Sequence, residues 1–290
     1  MNPVSDYDLN GTISQLFIHP IKSCAGVPVE QALITPTGLQ WDRAWMVVDA
    51  QGVFMTQREH ARMALIAPQL DADALLLRAP GMPELRLPLA VPAGPARSVR
   101  VWRDQVAARG MGAQAAQWFT QFLGQPCELV RFDDGCTRLA SMDWTDGVAA
   151  PVEFADGFPL LVVSQAALDD LNARLAAQGH AGVGMERFRP NLVIDGFEAH
   201  DEDRVDALHV DAGAEPLHLR PVKPCARCPI PDVDPATAER GHAVGDTLRA
   251  YRSDARVDGG ITFGMNAIVL HGVGQRLRVG QRVAANLSFA

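Results

Sequence analysis

The chain has 290 residues, 48% of them hydrophobic and 21% charged, with a formal charge of −8. That balance predicts a globular protein with chain enough for two ordinary domains, and it argues against long disorder. An acidic chain lacks the basic face that general nucleic-acid binding needs, so no nucleic-acid partner is expected, though a local basic pocket stays open. No apolar run approaches the roughly 18 residues that span a bilayer, and "MNPVSDYDLNG" lacks the basic and apolar regions of a signal peptide. No membrane association and a cytoplasmic location follow as expectations. Five cysteines, an odd number, suit free thiols in a reducing compartment better than a disulfide framework.

In chain order, "TISQLFI" (12–18) reads as an opening strand, and "AWMVVDAQGVFMTQ" (44–57) as a hairpin turning at Ala50-Gln51-Gly52. "DADALLLRAPGMPELRLPL" repeats strand–turn–strand. Prolines at 80, 83, 88, 92 and 95 confine 80–98 to turns and short extended pieces. Helical spacing is clear at 113–124, where Ala115, Trp118, Phe119 and Phe122 form a stripe and Gly124 supplies the stop. A second helix is predicted at 164–179, with Ser164 as N-cap, Leu168, Leu171 and Leu175 as the buried face, and Gly179 at its end. Beyond it come the short strands "NLVIDG", "ALHV", "LHLRPV", "NAIVLHG" and "RLRVGQRVAANL", whose frequent Gly and Pro turns favour barrels over βαβ units. The aperiodic stretch 133–151 is the expected domain boundary or active-site loop.

The stretch "VKPCARCPIPDVDP" (222–235) carries Cys225 and Cys228. Four readings stand. A zinc site needs two more ligands, such as His242 with Cys127, Cys136 or His271. A dithiol normally opens a helix, whereas Pro229 and Pro231 argue for an extended loop. Small buried core residues are the plain alternative, above all for Cys225. For Cys228, a proline-stiffened loop suits a soft sulfur ligand to a metal whose other ligands come from a cofactor. Asp232 and Asp234 either orient a proton donor or, as the better reading of "DVDP", cap backbone amides in a turn.

Cations sit at strand ends in four other segments: Lys22 with Ser23 in "HPIKSCAG", Arg43 in "WDRAW", Arg58 in "MTQRE", and Arg189 with Asn191 in "RFRPN". Each alone reads as solvated or paired with a neighbouring acid, Asp42 and Glu59 being at hand. Together, with Thr56 and Gln57 as added donors, they would make an anion pocket in an acidic protein, arginine's planar fork suiting phosphate.

These motifs in this order resemble the MOSC family with its N-terminal β-barrel partner domain. The markers are "HPIKSCAGVPV", "GLQWDRAWMVVDAQGVFMTQREHARMALI", "AAQWFTQFLG", "FADGFPLLVVSQAALDDLN", "RFRPNLVIDGF", "CARCPIPDVDPATAERG" and "GQRLRVGQRV", running from about residue 11 to 287. The family includes the molybdenum cofactor sulfurase C-terminal region, the amidoxime reducing components and bacterial reductases of N-hydroxylated compounds. The resemblance implies a β-rich α+β fold of two linked β-barrel domains with peripheral helices, a MOSC N-terminal β-barrel at 11–130 and a MOSC β-barrel at 131–290. It implies a molybdenum cofactor (Mo-molybdopterin) in the cleft between them, with Cys228 as catalytic residue and molybdenum ligand. Lys22, Ser23, Arg43, Arg58, Ser164, Arg189 and Asn191 match its cofactor-binding positions. Family-level description adds pyridoxal phosphate binding.

The implied activity is reduction of a small-molecule N-hydroxylated substrate, N–OH to N–H. The alternative is a carrier of the cofactor or of a persulfide. Many bacterial relatives append a ferredoxin domain with clustered cysteines. No such cluster stands in this sequence, so electrons would come from a separate donor protein: ferredoxin-like, a flavoprotein or a b-type cytochrome. Met111 and Val205 depart from the family's usual polar residue and tryptophan, outside the implied ligand shell.

Overall fold

The computed structural model describes residues 7–213 and 215–288. The chain opens with β1 (Leu9–Ile18), crosses to β2 (Trp45–Asp49), and builds a hairpin sheet from β3 (Ala67–Leu70), β4 (Ala74–Arg78) and β5 (Leu85–Pro88). It continues through β6 (Arg97–Val101), β7 (Asp104–Gly110), helix α1 (Ala113–Leu123) and β8 (Cys127–Phe132). The second part holds β9 (Leu160–Ser164), α2 (Gln165–Ala177), β10 (Leu192–Asp195), β11 (Val205–Val210), β12 (Leu217–Ala226), α3 (Ala243–Arg249), β13 (Gly260–His271) and β14 (Arg282–Leu287).

The first part is a half-barrel. Strands β2, β8, β7 and β6 lie side by side, all antiparallel. Helix α1 ends as its sequence predicts, Gly124 taking the left-handed φ of 76° that a side chain would resist. Its apolar stripe, Ala115, Trp118, Phe119 and Phe122, is buried with Trp45, Met63 and Leu129.

The second part is a closed barrel of seven strands in the order β9-β10-β1-β14-β11-β12-β13, sealed by β13 pairing back onto β9. Only the β9–β10 pair is parallel. Closure needs a glycine: at Gly264, φ is 77° and a Cβ would lie 2.6 Å from Val163 Cγ2 and 2.7 Å from the Val162 carbonyl oxygen. The barrel is filled by alternate residues of its strands, among them Ile13, Leu16, Val162, Ile194, Leu208, Leu219 and Val283. Helix α2 covers the outer wall with Leu168, Leu171 and Leu175, packed with Val163, Phe188 and Phe263.

Two β-barrel parts with peripheral helices therefore match the expected fold. The opening strand is the exception to a simple division of the chain. β1 pairs with β10 and β14, so the first strand sits inside the second barrel. Among the described residues no helix is long and apolar enough to cross a membrane.

Candidate functional site: a cationic cleft edged by a cysteine

Where the two parts meet, a cleft of about 120 Å³ is lined by Lys22, Ser23, Arg43, Arg58, Arg189, Asn191 and Cys228. Seven of the eight site residues expected from sequence thus converge from segments spread over two hundred residues. The eighth does not. Ser164 lies four residues beyond Leu160, which does line the cleft, so roughly 13 Å along β9. It does occupy the N-cap position of α2, but its hydroxyl makes no capping bond and instead accepts from the His200 backbone N–H at 3.3 Å.

Three of the converging residues are held in strained backbone. Ser23, Arg43 and Arg189 take left-handed φ values of 65°, 51° and 58°, a region that costs a non-glycine residue of order 1 kcal/mol. Surrounding bonds impose these conformations. The Lys22 N–H donates to the Trp45 carbonyl at 2.8 Å, and the Arg43 N–H to the His19 carbonyl at 2.8 Å. Thr56 and Gln57 brace the backbone and do not face an anion: Gln57 Nε2 donates to the Ser23 carbonyl at 2.8 Å, and Thr56 Oγ1 accepts from the Arg58 N–H at 3.1 Å.

Asn191 acts as a staple between the two parts. Its Oδ1 accepts from Arg43 at 3.1 Å and from the Leu161 N–H at 3.0 Å, while its Nδ2 donates to the Phe17 carbonyl at 3.2 Å. Arg43 also pairs with Asp42 at 2.5 Å and donates to the Arg189 carbonyl at 3.1 Å. Beneath these cations His19 is buried and held neutral: desolvation, then Arg43 and Arg189, push its pKa well down.

Asp42 is the partner expected of Arg43. Arg58 does not pair with Glu59; its acid is Asp156, at 3.6 Å, and its guanidinium lies 4.5 Å from the Trp102 ring centre. Asp156 also binds the Lys22 ammonium, which donates in addition to the Phe154 carbonyl at 2.8 Å. Lys22 is one of only two lysines in the sequence. Desolvation brings it down to about 8, against the opposing pull of Asp156. The protein atoms packed around the cleft wall would raise Asp156, but Lys22 and then Arg58 override them and hold the carboxyl below the usual range. Its side chain remains 61% exposed, so this acid stands at the mouth of the cleft.

Asp156 escaped the sequence reading, as did Arg227, whose guanidinium donates to Cys225 Sγ at 3.0 Å and to the Phe188 carbonyl at 2.8 Å. The signals were available: an acid in "FADGF", and a cation between the two cysteines. With Arg227 the cleft holds five cations, Lys22, Arg43, Arg58, Arg189 and Arg227, against the two carboxylates Asp42 and Asp156. Among the described residues neither Arg189 nor Arg227 has a carboxylate within 4.0 Å. Such a surplus of positive charge, in a chain of −8, favours an anion over a cation at the cleft by its electrostatics.

Cys225 is the last residue but one of β12, half-buried against the α2-facing core, and Cys228 follows just past the strand end. The next turn, Ile230–Asp232, is a short 3₁₀ segment, so no α-helix opens at Cys228 as a dithiol site would have it. Neither Cys127, Cys136, His242 nor His271 reaches the cleft lining to complete a zinc site. Asp232 accepts from the Val244 and Gly245 N–H groups at 3.0 and 3.1 Å, tying the cysteine loop to α3. Asp234 accepts from Arg187 at 2.8 Å and from the Ala236 N–H at 2.8 Å. Asp234 thus caps its own turn, as the sequence suggests, whereas Asp232 caps amides of the distant α3.

A two-part β-barrel protein with a cationic cleft edged by one cysteine is the class that this fold and site define. The chain matches the MOSC N-terminal beta barrel domain over residues 10–126 and the MOSC domain over 149–284. It is 36% identical over 256 residues to human mitochondrial amidoxime reducing component 2, covering 83% of this chain and 72% of that one. Mouse mitochondrial amidoxime-reducing component 1 is 36% identical over 252 residues, with the same coverage. Human molybdenum cofactor sulfurase is 27% identical over 269 residues, covering 87% of this chain and 29% of the sulfurase. The chain belongs to the MOSC family.

Proposed function

We propose that this protein is a molybdenum-cofactor-dependent reductase of N-hydroxylated compounds, supplied with electrons by a separate donor protein. The observation that carries the reading is the convergence of five cations and Cys228 on one cleft. The donor set fits the group. Arg189 and Arg227, without acid partners, suit a phosphate, and Cys228 offers the soft sulfur that molybdenum takes. When bound, the cofactor would supply two-electron oxygen-transfer chemistry.

The chain's own residues would then do three things. Lys22, Arg43, Arg58 and Arg189 neutralise the phosphate, with Ser23 and Asn191 fixing the strand ends that carry them. The Cys228 sulfur anchors the metal at the cleft edge. Asp156, exposed at the mouth, closes off Lys22 and Arg58 from water until an anion competes for them. All five cysteines are free, which suits a reducing compartment, read here as the cytoplasm. The partner class is a ferredoxin-like, flavin or b-type haem electron carrier.

The names of the relatives support this reading: two are amidoxime reducing components. The sulfurase match favours a second one, in which Cys228 carries a persulfide or the protein delivers the cofactor. Cofactor-loaded protein with a reduced donor should convert hydroxylaminopurine and benzamidoxime to their N–H products. No turnover of either, together with a mass gain of one sulfur on Cys228 after exposure to a cysteine desulfurase, would establish the carrier instead.

A further inference from the structure

On the outer wall of the barrel, far from the cleft, three histidines stand in a row on adjacent strands. His209 of β11 lies directly opposite His218 of β12, and His218 directly opposite His271 of β13. Residues directly opposite in an antiparallel pair share a face, with Cβ atoms about 5 Å apart. The neighbours Leu208, Val210, Leu217 and Leu219 fill the barrel, so the histidines face outward. Ring centres are 4.4 Å apart for His209–His218 and 5.5 Å for His218–His271, each pair edge to face. Tyr7 closes the other side of His209 at 5.0 Å. His209 and His218 are half-exposed and His271 is exposed.

From this row we infer a surface site for a borderline divalent metal ion such as Zn²⁺, Ni²⁺ or Cu²⁺, ligated by His209, His218 and His271. Imidazoles sharing one metal at about 2.0–2.1 Å per nitrogen place their ring centres roughly 5 Å apart, the spacing found for the two neighbouring pairs; His209 and His271 stand two strands apart, roughly 10 Å at the backbone, and must lean inward over His218 to share the ion. Three histidines with water completing the shell is an established ligand set for such ions. Among the described residues no three ligating side chains already converge on one point, so the edge-to-face rings must turn about their side-chain bonds to bring their nitrogens together. Rings on an open sheet face are free to do so, and the strand pairing already holds the side chains within reach.

A neutral imidazole is the ligating form, and an ordinary histidine is largely neutral at pH 7. The site is separate from the cleft. His218 precedes Cys225 by seven residues on β12, so roughly 23 Å of strand divides them.

The test uses untagged full-length protein carrying Cys225→Ser and Cys228→Ser, so that cleft thiols do not contribute. Titration with ZnCl₂, followed by calorimetry and by elemental analysis after desalting, should give one zinc ion per chain. His218→Ala in the same background should weaken binding more than tenfold, and His271→Ala should weaken it several-fold, with circular dichroism unchanged in both. Unaltered zinc affinity in both histidine variants, or no stoichiometric zinc in the parent, overturns the assignment.

Discussion

Two regions of this molecule bury charge, and they resolve the cost in opposite ways. In the cleft, cations outnumber carboxylates and stay charged. Arg189 keeps its proton although burial, and then Arg43, lower it to about 10. Behind α2, around Ser164, the buried groups are driven neutral. Glu202 is fully buried, neither of its oxygens has a hydrogen-bond partner, and burial raises it to about 7. Desolvation, and next Arg252, lower His200 to about 4. The aspartates there keep partners, Asp203 with Arg252 at 2.5 Å and Asp201 with Arg204 at 2.8 Å. Unneutralised like charge held in strained backbone asks for an external counter-ion; a closed group that sheds its charge asks for none. The first is the candidate binding site proposed above, the second a part of the wall.

The sharpest way to break that contrast is at Cys228. Cys228→Ser should cost more than about 100-fold in turnover, beyond what loss of an outer-shell partner of a metal costs, with the fold retained. Steady-state reduction of benzamidoxime and circular dichroism check it. Arg189→Leu should come next. Losing a charge-assisted bond worth about 1.5–3 kcal/mol weakens binding of inorganic phosphate or the free cofactor by about 10–100-fold, read by calorimetry. In the unaltered protein the same affinity should fall as pH rises past about 8, where Lys22 gives up its proton.

The wall behind α2 should respond in stability and not in binding. Because folding raises the Glu202 pKa from 4.5 to about 7, the folded state binds the extra proton between those values. Its contribution is intact below the unfolded value and is lost as pH rises through 7, at an upper bound of about 3 kcal/mol. Glu202→Gln should therefore remove most of the decline in urea midpoint between pH 5 and 8.5 while leaving phosphate affinity unchanged. The smallest effect is expected at Cys225, which serves packing and the Arg227 contact. Cys225→Ser should lower kcat/KM by no more than several-fold. A loss equal to that of Cys228→Ser would return the pair to zinc or dithiol chemistry.

Much of the site was legible because its cations stand in short motifs at strand ends, and burial forces such ends together when two barrels meet. What failed did so for physical reasons. Ser164 looked like a cleft residue from its motif, but the 3.3 Å rise of a strand carries it away from Leu160 to the α2 side. Asp156 was invisible as a partner because its cations lie 98 and 134 residues earlier in the chain, and only folding sets their distance. The placement of β1 in the second barrel is likewise a non-local pairing that no local pattern encodes. Helix α3, seven residues with Gly245 inside, offers only Val244 and Leu248 as an apolar stripe, too little to register as periodicity. Helices α1 and α2, longer and strongly striped, read directly.

The central claim is a protein sulfur bonded to a cofactor-borne molybdenum in this cleft, and elemental analysis with X-ray absorption tests it most directly. Protein made in a host that synthesises the cofactor should retain one molybdenum per chain through gel filtration. Its absorption edge should show one sulfur neighbour more than in Cys228→Ser protein loaded the same way. Molybdenum absent from the purified chain, or a sulfur shell identical in the two proteins, would contradict the account.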